Sequence, residues 1–347
     1  MTATAPTPTG PAPRSRLKTW LQNLALMAGT FALCCITLEF VLRIAGYGNV
    51  EIYEPDPLLY WKLKPNQNCY TKVDHKPVHV NSHSTRGPEF QTAKPANTIR
   101  ILSLGDSKTF GWGLTEAETY SGLIEKMLQQ QAGNGKHVEV INAGVNAWSY
   151  AQMHAYLREF GLKYQPDIVI LADANLWTQF SDKNSPGFVK SFMRRVWLKN
   201  FLRRFATYNY FVEYKLREVY ERERVKFIPI DPKQDTLFKK EQANDPDAFF
   251  RKYIEGICSL ALSNNIKPVL LYIPTIGYLR DPDSDHILKI EMLVSRKLSV
   301  PLVDMTDDIR PKGKDLFLEG DAAHLNVAGN QFVAQHLFLT LTNLLTP

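Results

Sequence analysis

The 347-residue sequence is short of the features that define several common protein classes. It has four cysteines, too few for a disulfide framework. Cys34 and Cys35 fall in an apolar run, which leaves only Cys69 and Cys258 to pair. A domain of this size needs no such staple, so two unrelated buried thiols are the simpler expectation. No block of lysine and arginine is dense enough for nucleic acid, and the formal net charge is only +6. Around Gly111-Trp112-Gly113 there is no dinucleotide fingerprint. Ser107-Lys108-Thr109 hints at a phosphate-binding loop, but that motif needs glycine at 102 and 107, where Leu102 and Ser107 stand. His75, His79 and His83 recur every four residues. Pro77 disfavours a helix there, and four residues of strand span ~13 Å, too far for one metal ion. No metal or organic cofactor is implied, and these histidines read as packing or exposed residues.

What is present begins with a tail and a long hydrophobic run. Residues 1–19 are rich in Pro, Thr and Ala without apolar periodicity and read as disordered, ending in Arg14, Arg16 and Lys18. From Trp20 to Ile44 the chain is apolar for the ~20 residues a bilayer requires, despite Gln22, Asn23 and Glu39. The cations precede this run, so the positive-inside tendency puts the tail in the cytoplasm and everything after Tyr47 outside. No Ala-x-Ala site follows, which favours an anchor over a cleaved signal peptide. Residues 45–97 form an extracytoplasmic lead-in.

From 98 to 347 strands and helices alternate. Continuous apolar runs at 99–105, 137–144, 167–173, 267–274 and 300–305 are separated by helical-period segments at 116–131, 150–162, 248–263, 286–298 and 327–345. Such alternation predicts an α/β domain: a three-layer, flavodoxin-like parallel sheet of five strands covered on both faces. The stretch from 173 to 267 is far longer than a normal crossover, which marks 178–247 as an insertion. Its part 189–227 carries eleven bases against four acids, interleaved with Phe, Trp and Tyr. That composition suits anionic lipid headgroups or an acidic glycan, and suits equally a helical cap packed on the sheet. Because the insertion emerges after Asn175, it is expected beside the active site, shaping substrate entry.

Parallel α/β sheets put their chemistry at the carboxyl ends of the strands, and polar residues gather there in this sequence. The first strand ends at Asp106-Ser107, the second near Gly144, the third near Asn175, and "GDAAHLN" precedes the last helix. Ser107 has the makings of a nucleophile, His324 of its general base, and Asp321 of the carboxylate that orients the ring. The backbone N–H groups of Gly144 and Ser107 and the amide of Asn175 suit an oxyanion. Each has a plainer reading: Ser107 as a helix cap, Gly144 as a turn, Asn175 as a loop amide, His324 as a surface histidine.

"GDS", "NAG", "DAN" and "DAAH", in that order, resemble the four blocks of the SGNH (GDSL-type) hydrolases over 98–347. The lead-in, with Asn81-Ser82 and Arg86-Gly87, resembles that of membrane-anchored members. The resemblance implies Ser107 as nucleophile, Gly144 and Asn175 as oxyanion donors, and Asp321 with His324 as the acid–base unit. The third block departs from G-x-N-D: Asp173 takes the glycine's place and Leu176 the aspartate's. Leu325 follows His324 where proline is common. A carboxylate at Asp173 would oppose catalysis if it pointed inward. The expectation is a membrane-anchored, extracytoplasmic serine esterase without cofactor. It would act on an ester-linked acyl group, acetyl above all, of a polysaccharide or lipid. An O-acyltransferase using the same acyl-enzyme, and a non-catalytic glycan-binding or assembly protein, are the alternatives.

Overall fold

The structure is a computed structural model; it describes residues 16–50, 53–71, 74–132, 135–174, 197–216, 246–280 and 285–345. Asn175, Leu176 and much of the insertion lie outside these residues.

The chain opens with helix α1 (Arg16–Ile44), which starts before the expected Trp20, so 16–19 belong to the helix and not to the tail. No residue of its most apolar 18-residue window is buried, and the mean hydropathy of that window is 2.0. It is therefore long and apolar enough to cross a membrane. The lead-in folds into two antiparallel hairpins that the sequence did not announce: β1 (Tyr53–Asp56) with β2 (Tyr60–Leu63), and β3 (Gln67–Tyr70) with β4 (Pro77–Val80). The histidines here pack as expected. His75 stacks on Tyr70 at 4.2 Å, and His83 stacks on Phe90 at 4.3 Å. His79 Nδ1 meets Asn68 Oδ1 at 2.7 Å.

The five expected strands form one parallel sheet: β5 (Thr98–Gly105), β6 (His137–Gly144), β7 (Ile168–Ala172), β8 (Lys267–Tyr272) and β9 (Leu302–Asp304). Their order, β6-β5-β7-β8-β9, is the flavodoxin-like doubly wound order, with β5 at the point where the winding reverses. Alternate side chains leave the sheet on opposite faces, as the pleat requires. Leu102, Leu104, Ile141 and Leu270 pack beneath α4 (Tyr150–Glu159), α5 (Pro246–Ser263) and α6 (His286–Leu298). Ile101, Val140, Ile170 and Leu271 pack against α3 (Tyr120–Gln131) and α7 (Val327–Leu345). The helices start where polar side chains take up free N–H groups: Thr119 Oγ1 accepts from Gly122 N at 3.1 Å, and Asp285 Oδ1 from Ile287 N at 2.9 Å.

The lead-in closes the β6 edge of the sheet. Arg86 N donates to Asn142 O at 3.1 Å in a short antiparallel bridge, which covers an edge that would otherwise be open. Cys69 and Cys258 are both buried and are not joined in a disulfide, as expected. Burial pushes the Cys258 thiol up to about 12.

Candidate active site

Strand β5 ends at Gly105, where a side chain cannot fit: a Cβ would lie 1.8 Å from Thr109 Oγ1. The chain then turns into a single helical turn, α2 (Ser107–Phe110), capped by Asp106, whose carboxylate accepts from Lys108 N at 2.9 Å. Ser107 alone between 101 and 110 is not buried. Gly144, paired with Gly105 across the sheet, has a packing role, since a Cβ there would meet Phe110 N at 2.2 Å.

On the other side of the cleft the segment before α7 folds back on itself. Asp321 Oδ1 accepts from the backbone N–H of Ala323 at 2.7 Å and of His324 at 3.0 Å, which turns the ring toward the same carboxylate. Ile276 N to Ala322 O at 2.8 Å and Leu318 N to His324 O at 2.9 Å hold this turn in place. His324 Nδ1 then lies 2.6 Å from Asp321 Oδ2, and Nε2 lies 2.7 Å from Ser107 Oγ. A carboxylate only accepts, so Nδ1 carries the proton and Nε2 is left to receive the hydroxyl of Ser107. Burial raises the Asp321 carboxyl, but the hydrogen bond and charge of His324 and the two N–H groups outweigh it and hold it below its usual value. Trp112 stacks on the imidazole, with ring centroids 5.7 Å apart.

Asp173 does not point a bare charge at the site. Its carboxylate takes Lys108 Nζ on one oxygen and Ile273 N at 2.8 Å on the other, and Lys108 also reaches Ile273 O at 3.0 Å. Lys108 and Asp173 are both buried. Burial lowers the Lys108 ammonium, but Asp173 and Asp106 outweigh it and hold the group above its usual value, firmly charged. The odd residue of the third block is thus the counter-ion of the residue that follows the serine.

Gly144 was expected to offer its N–H to an oxyanion. Its N–H donates to Asn142 Oδ1 at 3.1 Å, so it is already engaged. Asn175 is outside the described residues. The loop beyond Gly144 holds Ala147 at φ +64°, a left-handed conformation that an alanine adopts only under constraint.

Arg86 is a site-supporting residue whose part the sequence did not reveal. Its buried guanidinium donates to the carbonyls of Phe110 at 2.5 Å, Gly111 at 2.8 Å and Leu114, the loop that carries Trp112, and pairs with Glu116 at 2.8 Å. The "NS…RG" resemblance marked the residue, but not these carbonyls.

No model of a known family matches the sequence, nor does any curated protein. Among solved structures, the chain is similar to TesA at 14% identity, covering 71% of this chain and 99% of that one with a TM-score of 0.46. It is similar to a lipase/acylhydrolase from Enterococcus faecalis at 13% identity, covering 72% and 98%, TM-score 0.44. An acetyl xylan esterase, AlAXEase, is 18% identical over 70% of this chain and all of that one, TM-score 0.42. These are likenesses of fold. What the chain itself presents is a doubly wound α/β sheet carrying a Ser–His–Asp arrangement at the carboxyl end of its switch-point strand.

Proposed function

We propose that the chain is a serine ester hydrolase of the SGNH type, held to a membrane by α1 with its catalytic domain outside the cytoplasm. The observation that carries this is the continuous line Ser107 Oγ, His324 Nε2, His324 Nδ1, Asp321 Oδ2, with steps of 2.7 and 2.6 Å between side chains. Ser107 Oγ attacks the ester carbonyl while His324 Nε2 takes its proton, and ionised Asp321 stabilises the resulting imidazolium. The oxyanion is met by Ser107 N–H and the Asn175 amide; Gly144 N–H joins them only on leaving Asn142 Oδ1. Collapse of the tetrahedral species breaks the ester C–O bond, and His324 returns the proton to the departing alkoxide. A water molecule, activated by the same imidazole, then frees the acid from Ser107. The resemblance in the four blocks points to acetyl groups on carbohydrate. Neutralisation of Asp173 by Lys108 removes the main objection to catalysis.

The test uses the full chain in detergent with p-nitrophenyl acetate and a fluorophosphonate, beside Ser107→Ala. Turnover and an adduct on Ser107 are expected, both lost in the variant. A folded sample giving neither would overturn the reading.

A further inference from the structure

We propose that the described part of the insertion, 197–216, is a second membrane contact that lies flat on anionic lipid where α1 leaves the bilayer. The proposal rests on the reading of α1 as a membrane span.

The first observation is position. Within the apolar stretch from Trp20 to Ile44, the part that precedes its one acid, Trp20 to Leu38, is about 28 Å long at about 1.5 Å per residue, close to the ~30 Å of a hydrocarbon core. Glu39 ends it, and a carboxylate is kept out of hydrocarbon, so the bilayer surface lies near its level. Glu39 is also where the insertion is fastened. Its carboxylate accepts from Ala206 N at 2.9 Å and from the N–H and hydroxyl of Thr207, both at 3.0 Å. One and two turns further along, Arg43 donates to Arg204 O and Tyr47 O accepts from Asn209 Nδ2 at 2.8 Å. These bonds hold 204–209 at the height of the interface.

The second observation is what the segment exposes. Trp197, Phe201, Phe205, Phe211 and Leu216 are 67, 43, 45, 50 and 63% exposed. From 209 to 216 the backbone is a π-helix, whose wider turn brings Phe211, Val212, Lys215 and Leu216 out together. Side chains this apolar are costly to leave in water, and the segment that carries them is bonded to α1 at Glu39 and Arg43.

The third observation is charge. Lys199, Arg204 and Lys215 are exposed, whereas the segment's one acid, Glu213, is buried against Arg203 at 2.9 Å. The exposed charges within 197–216 are all cations, and together with its exposed aromatic residues they match an interfacial segment on anionic headgroups.

The experiment reconstitutes the full chain into phosphatidylcholine vesicles, with and without phosphatidylglycerol, and places bromine at shallow or deep acyl positions as a fluorescence quencher. Subtracting the emission of Trp197→Phe isolates Trp197, an exposed side chain whose replacement leaves the core intact; Trp20→Phe isolates a residue of α1 in the same way. Shallow bromines should remove roughly half or more of the Trp197 emission when phosphatidylglycerol is present, and deep bromines less. A Trp197 signal untouched by any bromolipid overturns the proposal, whether acrylamide reaches it from water or a protein surface shields it. Equal quenching in phosphatidylcholine alone overturns the assignment to anionic lipid. Quenching of Trp20 with none of Trp197 refutes this contact while keeping α1 in the bilayer; loss of both refutes the anchor as well.

Discussion

Asp321 spends both of its oxygens, one on the backbone of its own turn and one on His324, so two properties depend on it. Asp321→Asn should lower kcat by about four orders of magnitude, as loss of the orienting carboxylate does in serine triads, with KM little changed. The same substitution should alter acid stability. The Asp321 carboxyl sits below its usual value in the folded chain, so its contribution is present above the ordinary carboxylate range and is lost as pH falls through the folded value. Asparagine removes that loss, and denaturant melts through the acid range should be flatter for the variant. Lys108 presents a different case. Lys108→Met leaves Asp173 buried and unpaired and should cost about 3–5 kcal/mol. Adding Asp173→Asn, which keeps an acceptor for Ile273 N, should recover much of it, and a double-mutant cycle measures the coupling.

At the scale of elements, the lead-in supports the loop that carries Trp112. Arg86→Ala withdraws a buried fork from three carbonyls and from Glu116, which should cost about 3–5 kcal/mol and lower kcat by loosening Trp112 against His324. Arg86→Lys should not rescue it, because an ammonium cannot span those acceptors; melts and kcat on the two variants check this. Neither this support nor the Lys108–Asp173 pair could be read along the chain. Arg86 acts through backbone atoms, which leave no mark on sequence, and Lys108 meets a partner 65 residues away. The short strands of the lead-in hairpins were equally hidden, four residues each with mixed polarity. By contrast, the parallel sheet was legible because its strands are buried on both faces and so run apolar without interruption, as at 168–172. Ser107, Asp321 and His324 were legible because each sits at a strand end or before the last helix. Gly144 admits close packing and rests its N–H on Asn142 Oδ1, neither of which could be read along the chain, because a glycine that does this and one that offers its N–H to a substrate look alike in sequence.

For the molecule as a whole, the space behind the site holds more acid than an interior usually tolerates. Glu291 is fully buried; Tyr150 Oη donates to it at 2.8 Å, and burial together with Asp173 pushes its carboxyl well above the ordinary value. A carboxyl raised in this way favours the folded state at low pH and withdraws that contribution as pH climbs from the ordinary glutamate range upward. Global stability should therefore decline over that range. Glu291→Gln should flatten the decline and leave the chain more stable than wild type near neutral pH, as denaturant midpoints at several pH values would show.

Ser107 and His324, 2.7 Å apart in space, are 217 residues apart along the chain. A ribosome adding about 5–20 residues per second takes roughly 10–40 s to pass from one to the other. For that interval Ser107 exists without His324. The hydroxyl stays as unreactive as any other until the turn at 321–324 has been made and docked on Ile276. On the proposed mechanism, synthesis order thus gives the chain a delay before it is competent, during which a nascent chain would leave intact any ester group it met.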